Sequence, residues 1–152
     1  MRIEEAIRQP HFKTSQQKAV INLMYTSNVI RNRHVAIFKP YGLAPQHYNV
    51  LRILRGGHPA PKSAGDIKAV MLDKSPDLTR IIDKLEKAEY VLRETCKGNR
   101  RKVDISITDT GLDLLEKLDP MMEAIHNNYN VLSDDEAEAL SLLLDKIRGE
   151  EK

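Results

Sequence analysis

Between Ser75 and Thr108 the apolar spacing switches from the period of a helix to that of a strand, with only a few residues in which to turn. Leu78, Ile81, Ile82 and Leu85 lie at i, i+3, i+4 and i+7, which is one face of a helix. Val103-Asp104-Ile105-Ser106-Ile107-Thr108 alternates apolar and polar residues, the pattern of a half-buried strand. Tyr90 to Cys96 reads as its partner strand, and Lys97-Gly98-Asn99-Arg100-Arg101-Lys102 between them is a Gly-Asn turn with four cations. A two-stranded hairpin is not stable alone in water, so its Val103/Ile105/Ile107 face must pack on helices and leave a basic tip outside.

Ser75-Pro76-Asp77 marks the start of the preceding helix. Ser75 is placed to accept a free backbone N–H as N-cap, Pro76 loses no needed hydrogen bond at the first helical position, and Asp77 complements the positive helix end. Upstream, helical spacing predicts helices over 14–38 (Val20, Leu23, Met24, Ser27, Ile30, His34 and Ile37), over 44–55 (Tyr48, Leu51, Leu54), and near 64–72 (Ile67, Val70, Met71). The last of these and the helix opened by Ser75-Pro76-Asp77, joined by a three-to-four-residue turn, make a helix-turn-helix pattern. With the basic hairpin directly after it, the pattern is that of a winged helix. Downstream, Leu112, Leu115, Leu118, Met122, Ile125 and Tyr129 predict a long helix containing Pro120. Ser133-Asp134-Asp135-Glu136 is a capping box opening a last one with Leu140, Leu143, Leu144 and Ile147.

The fold class is therefore mainly α with a small β hairpin, a winged helix-turn-helix. With 152 residues the chain is expected to form one domain, with a DNA-binding region at 44–108 and helices at 1–39 and 109–152. The terminal helices carry more apolar surface than one core would consume, so they are expected to pair with a second copy. A twofold dimer also suits a twofold, palindromic operator. The formal charge of +2 conceals a segregation: +7 over residues 1–60, +4 over 61–102 and −9 over 103–152. Either folding spreads these charges evenly, or a basic working face is reserved for a polyanion such as double-stranded DNA. No apolar run is long enough to span a membrane, and the start of the chain lacks a secretory apolar stretch. A cytoplasmic protein is expected.

Leu78 to Val91, together with Asn99-Arg100-Arg101-Lys102-Val103-Asp104-Ile105-Ser106-Ile107-Thr108-Asp109-Thr110-Gly111, resembles the recognition helix and wing of the MarR (multiple antibiotic resistance regulator) family. Wings of that family read Asp-x-Arg, a strand, then Leu-Thr-x-x-Gly. Arg101, Thr108 and Gly111 match, while Asn99 stands where Asp is usual and Ile107 where Leu is usual. The resemblance implies a winged-helix dimer on palindromic DNA that loosens when a small molecule enters a cleft between its DNA-binding and dimerisation regions. Asn99 keeps an acceptor for Arg101 but not the charge, so the wing is expected to be more cationic and less rigid than usual.

The DNA-binding set is then Ser75, Asp77, Thr79, Arg80, Lys84, Arg100, Arg101 and Lys102. Arg101 reaches a phosphate or a narrow minor groove, unless it is a solvated turn cation. Arg100 and Lys102 are phosphate contacts or solvated charges. Arg80 bonds guanine or pairs with Asp77 or Asp83. Asp77 is structural, and Lys84 suits a phosphate better than a base. Tyr25, His34 and Tyr48 are candidates to line an effector pocket, and equally could all be core. The five histidines form no i, i+4 pair and the single cysteine no cluster, so no metal or other cofactor is expected. Cys96 reads more simply as a small buried strand residue than as a thiolate activated by Arg93 and Lys97. No nucleophile-base-acid set can be assembled, which excludes an enzyme. The leading expectation is a sequence-specific transcriptional regulator, a repressor released by a small-molecule effector. The alternative is a ligand- or partner-binding module of the same fold that no longer binds DNA.

Overall fold

A computed structural model describes residues 1–95 and 103–149. The order of elements is α1 (Ile3–Ala6), α2 (Ser15–Phe38), a 3-10 turn (Lys39–Tyr41), α3 (Pro45–Gly57), β1 (Lys62–Ser63), α4 (Ala64–Val70), α5 (Leu78–Lys87), β2 (Val91–Thr95), β3 (Val103–Ile107), α6 (Asp109–Asn127) and α7 (Asp134–Arg148). The chain divides into two compact units, Met1–Leu115 and Glu116–Lys152.

In the first unit, Thr14 caps α2 by accepting from the Gln17 N–H at 3.0 Å. α3 is central and packs against α2, α4, α5 and β3. Its Val50 and Leu51 are fully buried and Leu54 nearly so, with Phe38, Ile67 and Leu85 closing around them. Burial of each such side chain contributes roughly 1.5–3 kcal/mol. Leu78, Ile81, Ile82 and Leu85 of α5 are all buried, as their spacing requires.

The β structure is a three-stranded antiparallel sheet, ordered β1-β3-β2, rather than a bare hairpin. β2 and β3 pair Val91 with Ile107 through Thr95 with Val103, and the added β1 sets Lys62 opposite Ile105. Two residues of β1 are too short to show a period in sequence, yet they cover part of the outer edge of β3. Ile105 and Ile107 face the core as expected, but Val103 is exposed because it lies beyond the helices that cover the other two. Val70 is likewise exposed, since α4 buries only the line that contains Ile67, with Met71 following it.

The helix-turn-helix connection is longer than its sequence suggests, running over 71–77. Met71 is extended, and the Asp73 carboxylate accepts from both the N–H (3.0 Å) and the Oγ–H (2.5 Å) of Ser75. Ser75 is thus not the helix cap. Pro76 disfavours helical backbone at the residue before it, and Asp77 takes the cap, accepting from the Thr79 N–H at 3.0 Å. The carboxylate is the stronger acceptor at a positive helix end.

In the second unit Leu118, Met122 and Ile125 of α6 are buried, and the helix runs through Pro120. Ser133 caps α7 reciprocally with Glu136 as the sequence predicts: Ser133 Oγ accepts from the Glu136 N–H and Glu136 accepts from the Ser133 N–H at 2.9 Å. Among the described residues α7 buries none of its side chains, and Leu140, Leu142, Leu143 and Ile147 are exposed. No helix among the described residues is long and apolar enough to cross a membrane.

Candidate nucleic-acid interface

The apolar side of α5 fixes which of its residues face outward. With Leu78, Ile81, Ile82 and Leu85 turned to the core, Thr79, Arg80, Asp83, Lys84 and Lys87 are exposed. Arg80 is nearly fully solvated, its side chain 88% exposed, and Nε lies 3.6 Å from the Asp77 carboxylate. An ion pair so open holds an arginine with well under 1 kcal/mol. The cation therefore extends from the first turn of the helix and is free to exchange that partner for another. Asp77 is occupied by the cap, in line with a structural role. Ser75 is tied to Asp73 just ahead of the helix, and Lys84 sits one turn beyond Arg80.

Asn99, Arg100, Arg101 and Lys102, the tip of the basic turn, lie outside the described residues, as does Cys96. Their strands are described, and β2 is fastened to α5 by an arginine that the sequence does not single out. The Arg93 guanidinium donates from Nε to Glu86 Oε2 at 2.8 Å and from Nη2 to Asp83, and Nη2 also lies 2.6 Å from Glu86 Oε2 as an ion pair. These hydrogen bonds, to Glu86 first and Asp83 second, raise the arginine's proton affinity further. Nothing in the linear pattern announces the cluster, because it joins a helix to a strand.

A second lock joins the sheet to α6. Thr108 Oγ1 donates to the Glu89 carbonyl at 2.7 Å and accepts from the Gly111 N–H at 3.1 Å, while the Thr108 N–H donates to the Tyr90 carbonyl. Glu89 has φ +60°, which turns the chain sharply from α5 into β2. A Cβ at Gly111 would fall 2.3 Å from the Tyr90 oxygen, so Thr108 is explained by the hydrogen bonds of its hydroxyl and Gly111 by the close approach of the Tyr90 backbone.

Behind α5, His47 of α3 is buried, and its Nδ1 accepts from the Ala44 N–H at 3.1 Å, giving α3 the cap that an alanine cannot provide. Burial, and then the nearby Lys84 ammonium, hold its pKa below the ordinary imidazole value. A histidine three residues into a helix is the sequence signal that would have found it. Asn49, also on α3, accepts from the Leu72 N–H at 3.1 Å and pins the connection that leads to α5.

The three residues expected to line an effector pocket are only partly brought together. Tyr48 stacks on Phe38 at 4.6 Å between ring centroids, and His34 meets the same ring at 6.3 Å. Arg52 donates to the Tyr48 hydroxyl at 3.1 Å. Tyr25 is half-buried farther back along α2. A cleft of about 550 Å³ opens beside them and is lined by others, including Arg31, Val35, Pro45, Asn49, Leu72 and Asp73. No cluster of three or more metal-ligating side chains occurs among the described residues.

Comparison with known proteins agrees with this geometry. Residues 43–103, which include α3 to β2, match the MarR family. The transcriptional regulator PecS of Dickeya dadantii is 30% identical over 115 residues, 73% of this chain and 68% of the relative. MhqR of Bacillus subtilis, also a transcriptional regulator, is 30% identical over 130 residues, covering 84% and 86%. A MarR transcription factor from Planctomyces limnophilus superposes with a TM-score of 0.69 at 33% identity over 88% of this chain and 98% of the other. The MepR–DNA complex of S. aureus shares the fold, with a TM-score of 0.76 at 17% identity over 90% and 97%. These relatives are regulators rather than enzymes, their fold is the winged helix found here, and the chain belongs to the MarR family of transcriptional regulators.

Proposed function

We propose that the protein is a homodimeric, sequence-specific DNA-binding regulator, which represses by occupying a palindromic operator and is released by a small molecule. The observation that carries the reading is the division of α5 into a buried apolar side and an outward side bearing Thr79, Arg80 and Lys84. Thr79 and Arg80, in the first turn, are placed to enter a major groove and meet base edges, with Lys84 on a phosphate. Arg100, Arg101 and Lys102 extend the contact to the backbone and minor groove, Arg101 foremost. The relative named as a DNA complex has this fold, which supports the same use here.

Dimerisation is supported by the exposed leucines and isoleucine of α7, and by exposed Val20 and Met24 on α2. Large apolar side chains left exposed at several positions along one helix mark an interface. Effector release is supported by the cleft, whose volume suits a small molecule and whose wall includes Leu72 and Asp73 of the connection into α5. Its occupant would act on the start of the recognition helix.

Binding of the purified chain to duplex DNA, titrated against salt, tests the reading. The wild type is expected to bind, and Arg101→Ala to weaken binding while flattening the slope of log K on log salt by about one unit. A lone subunit in sedimentation that ignores duplex DNA at low salt would leave the module without DNA contact as the better reading. An Arg101→Ala variant with wild-type affinity and slope would remove that residue from the contact.

A further inference from the structure

At 3.6 residues per turn, Thr79, Asp83 and Glu86 are spaced i, i+4, i+7 and share one side of α5. That side adjoins the line of Arg80, Lys84 and Lys87. A helix meant to approach phosphates thus carries two carboxylates beside its cations, within one Debye length of any strand it would touch. Both carboxylates are gripped by the same half-buried guanidinium: Arg93 on β2 bonds Glu86 through Nε and Asp83 through Nη2.

We infer that Arg93 is a positioning residue for DNA binding: it masks Asp83 and Glu86 so that α5 presents a cationic side, and it ties that helix to the strand leading into the basic turn. The inference rests on the DNA-binding reading above. Without the arginine, Asp83 and Glu86 would face the polyanion uncompensated. Their charge would offset that of two of the three helix cations, leaving the helix close to neutral in its long-range field. The guanidinium suits this task because its planar fork serves two carboxylates at once, which a lysine ammonium does with less directional fit.

The test is a double-mutant cycle on the full chain, measured by fluorescence anisotropy on a random-sequence duplex at several salt concentrations. Arg93→Gln is expected to weaken binding by about tenfold or more at low salt and progressively less as salt rises. Asp83→Asn with Glu86→Gln is expected to strengthen binding clearly less in the wild-type background than in the Arg93→Gln background. In the Arg93→Gln background the same pair is expected to restore affinity to near wild type, and Arg93→Lys to fall between. Unchanged binding by Arg93→Gln would overturn the inference. So would an equal gain from the acid replacements in both backgrounds, which would mean the arginine masks nothing. A loss in Arg93→Gln that the acid replacements fail to recover would reduce Arg93 to a strut and overturn it as well. Wild-type protein that does not bind the duplex at all would instead overturn the functional reading on which the inference depends.

Discussion

Gly111→Ala puts the junction between the sheet and α6 to the sharpest test. The added Cβ would lie 2.3 Å from the Tyr90 carbonyl oxygen and 2.8 Å from Ile107 Cγ1. A carbon and an oxygen ordinarily keep about 3.3 Å or more, so backbone must move by roughly 1 Å. Tyr90 cannot yield alone, because its carbonyl also accepts from the Thr108 N–H, and the Thr108 hydroxyl bridges Glu89 and Gly111. Overpacking of this sort costs about 1–3 kcal/mol, and two weakened hydrogen bonds add about 1 kcal/mol each. The better helix propensity of alanine returns up to about 1 kcal/mol. The net expectation is a destabilisation of roughly 2–4 kcal/mol, against a total stability of only about 5–15 for a protein of ordinary size. Urea unfolding followed by circular dichroism, at one protein concentration, measures it. Gly65→Ala is the matched control, since its Cβ in α4 would meet only Ser63 Oγ at 3.7 Å. That variant is expected to be as stable as the wild type or slightly more so. A Gly111→Ala midpoint equal to that of Gly65→Ala would refute the close-contact argument.

Acid should weaken the fold through His47. Its folded pKa lies below the ordinary 6.5, so the native state favours the neutral ring. Its effect on stability is nil above that ordinary value, grows as pH falls through it, and is complete below the lowered one. Melting temperatures taken on both sides of the ordinary value should show the drop. In His47→Gln, whose amide oxygen can still cap α3, the drop should shrink; an identical pH profile would show that His47 is not the group responsible. Asp77→Ala should cost about 1 kcal/mol by removing the N-cap of α5, and Ser75→Ala should cost less because Ser75 only closes a turn onto Asp73. The reverse order in urea unfolding would restore Ser75 as the cap. Leu143→Glu on exposed α7 should shift the sedimenting species toward a single subunit with little change in helix content. A dimer that persists would place the interface elsewhere.

Much of the architecture was legible because periodic burial leaves a periodic trace. The four apolar residues of α5, Ile105 and Ile107 of β3 and the reciprocal cap of α7 all stand where spacing alone puts them. What stayed hidden lacks such a trace. β1 has two residues, too few for a period, and becomes a strand only because β3 is there to pair with it. Ser, Pro and Asp are each good helix openers, so sequence alone places the start of α5 two residues early. The choice between Ser75 and Asp77 was made by Asp73, which claims Ser75 first. Arg93 and Asn49 act across elements, on partners whose proximity exists only after folding. Tyr25, His34 and Tyr48 illustrate the converse: aromatic residues on helix faces suit a core and a pocket equally well in sequence. Here Tyr48 spends its ring on Phe38, while other residues line the cleft.

The two ends of α5 are held by forces of different size, and this bears on how an effector would act. Its body is anchored by four buried aliphatic side chains, together worth several kcal/mol. Its approach, residues 71–77, is held mainly by polar contacts: Asn49 on Leu72, Asp73 on Ser75 and Asp77 on Thr79. Each contributes on the order of 1 kcal/mol. A ligand that discriminates between two arrangements tenfold supplies about 1.4 kcal/mol, enough to rearrange such contacts and too little to extract the helix from the core. The cleft wall includes Leu72 and Asp73, so an occupant would bear on the weaker end. The expected response is then a shift in the first turn of α5, carrying Thr79 and Arg80 away from the base contacts proposed for them, while the sheet and the Arg93 cluster stay in place.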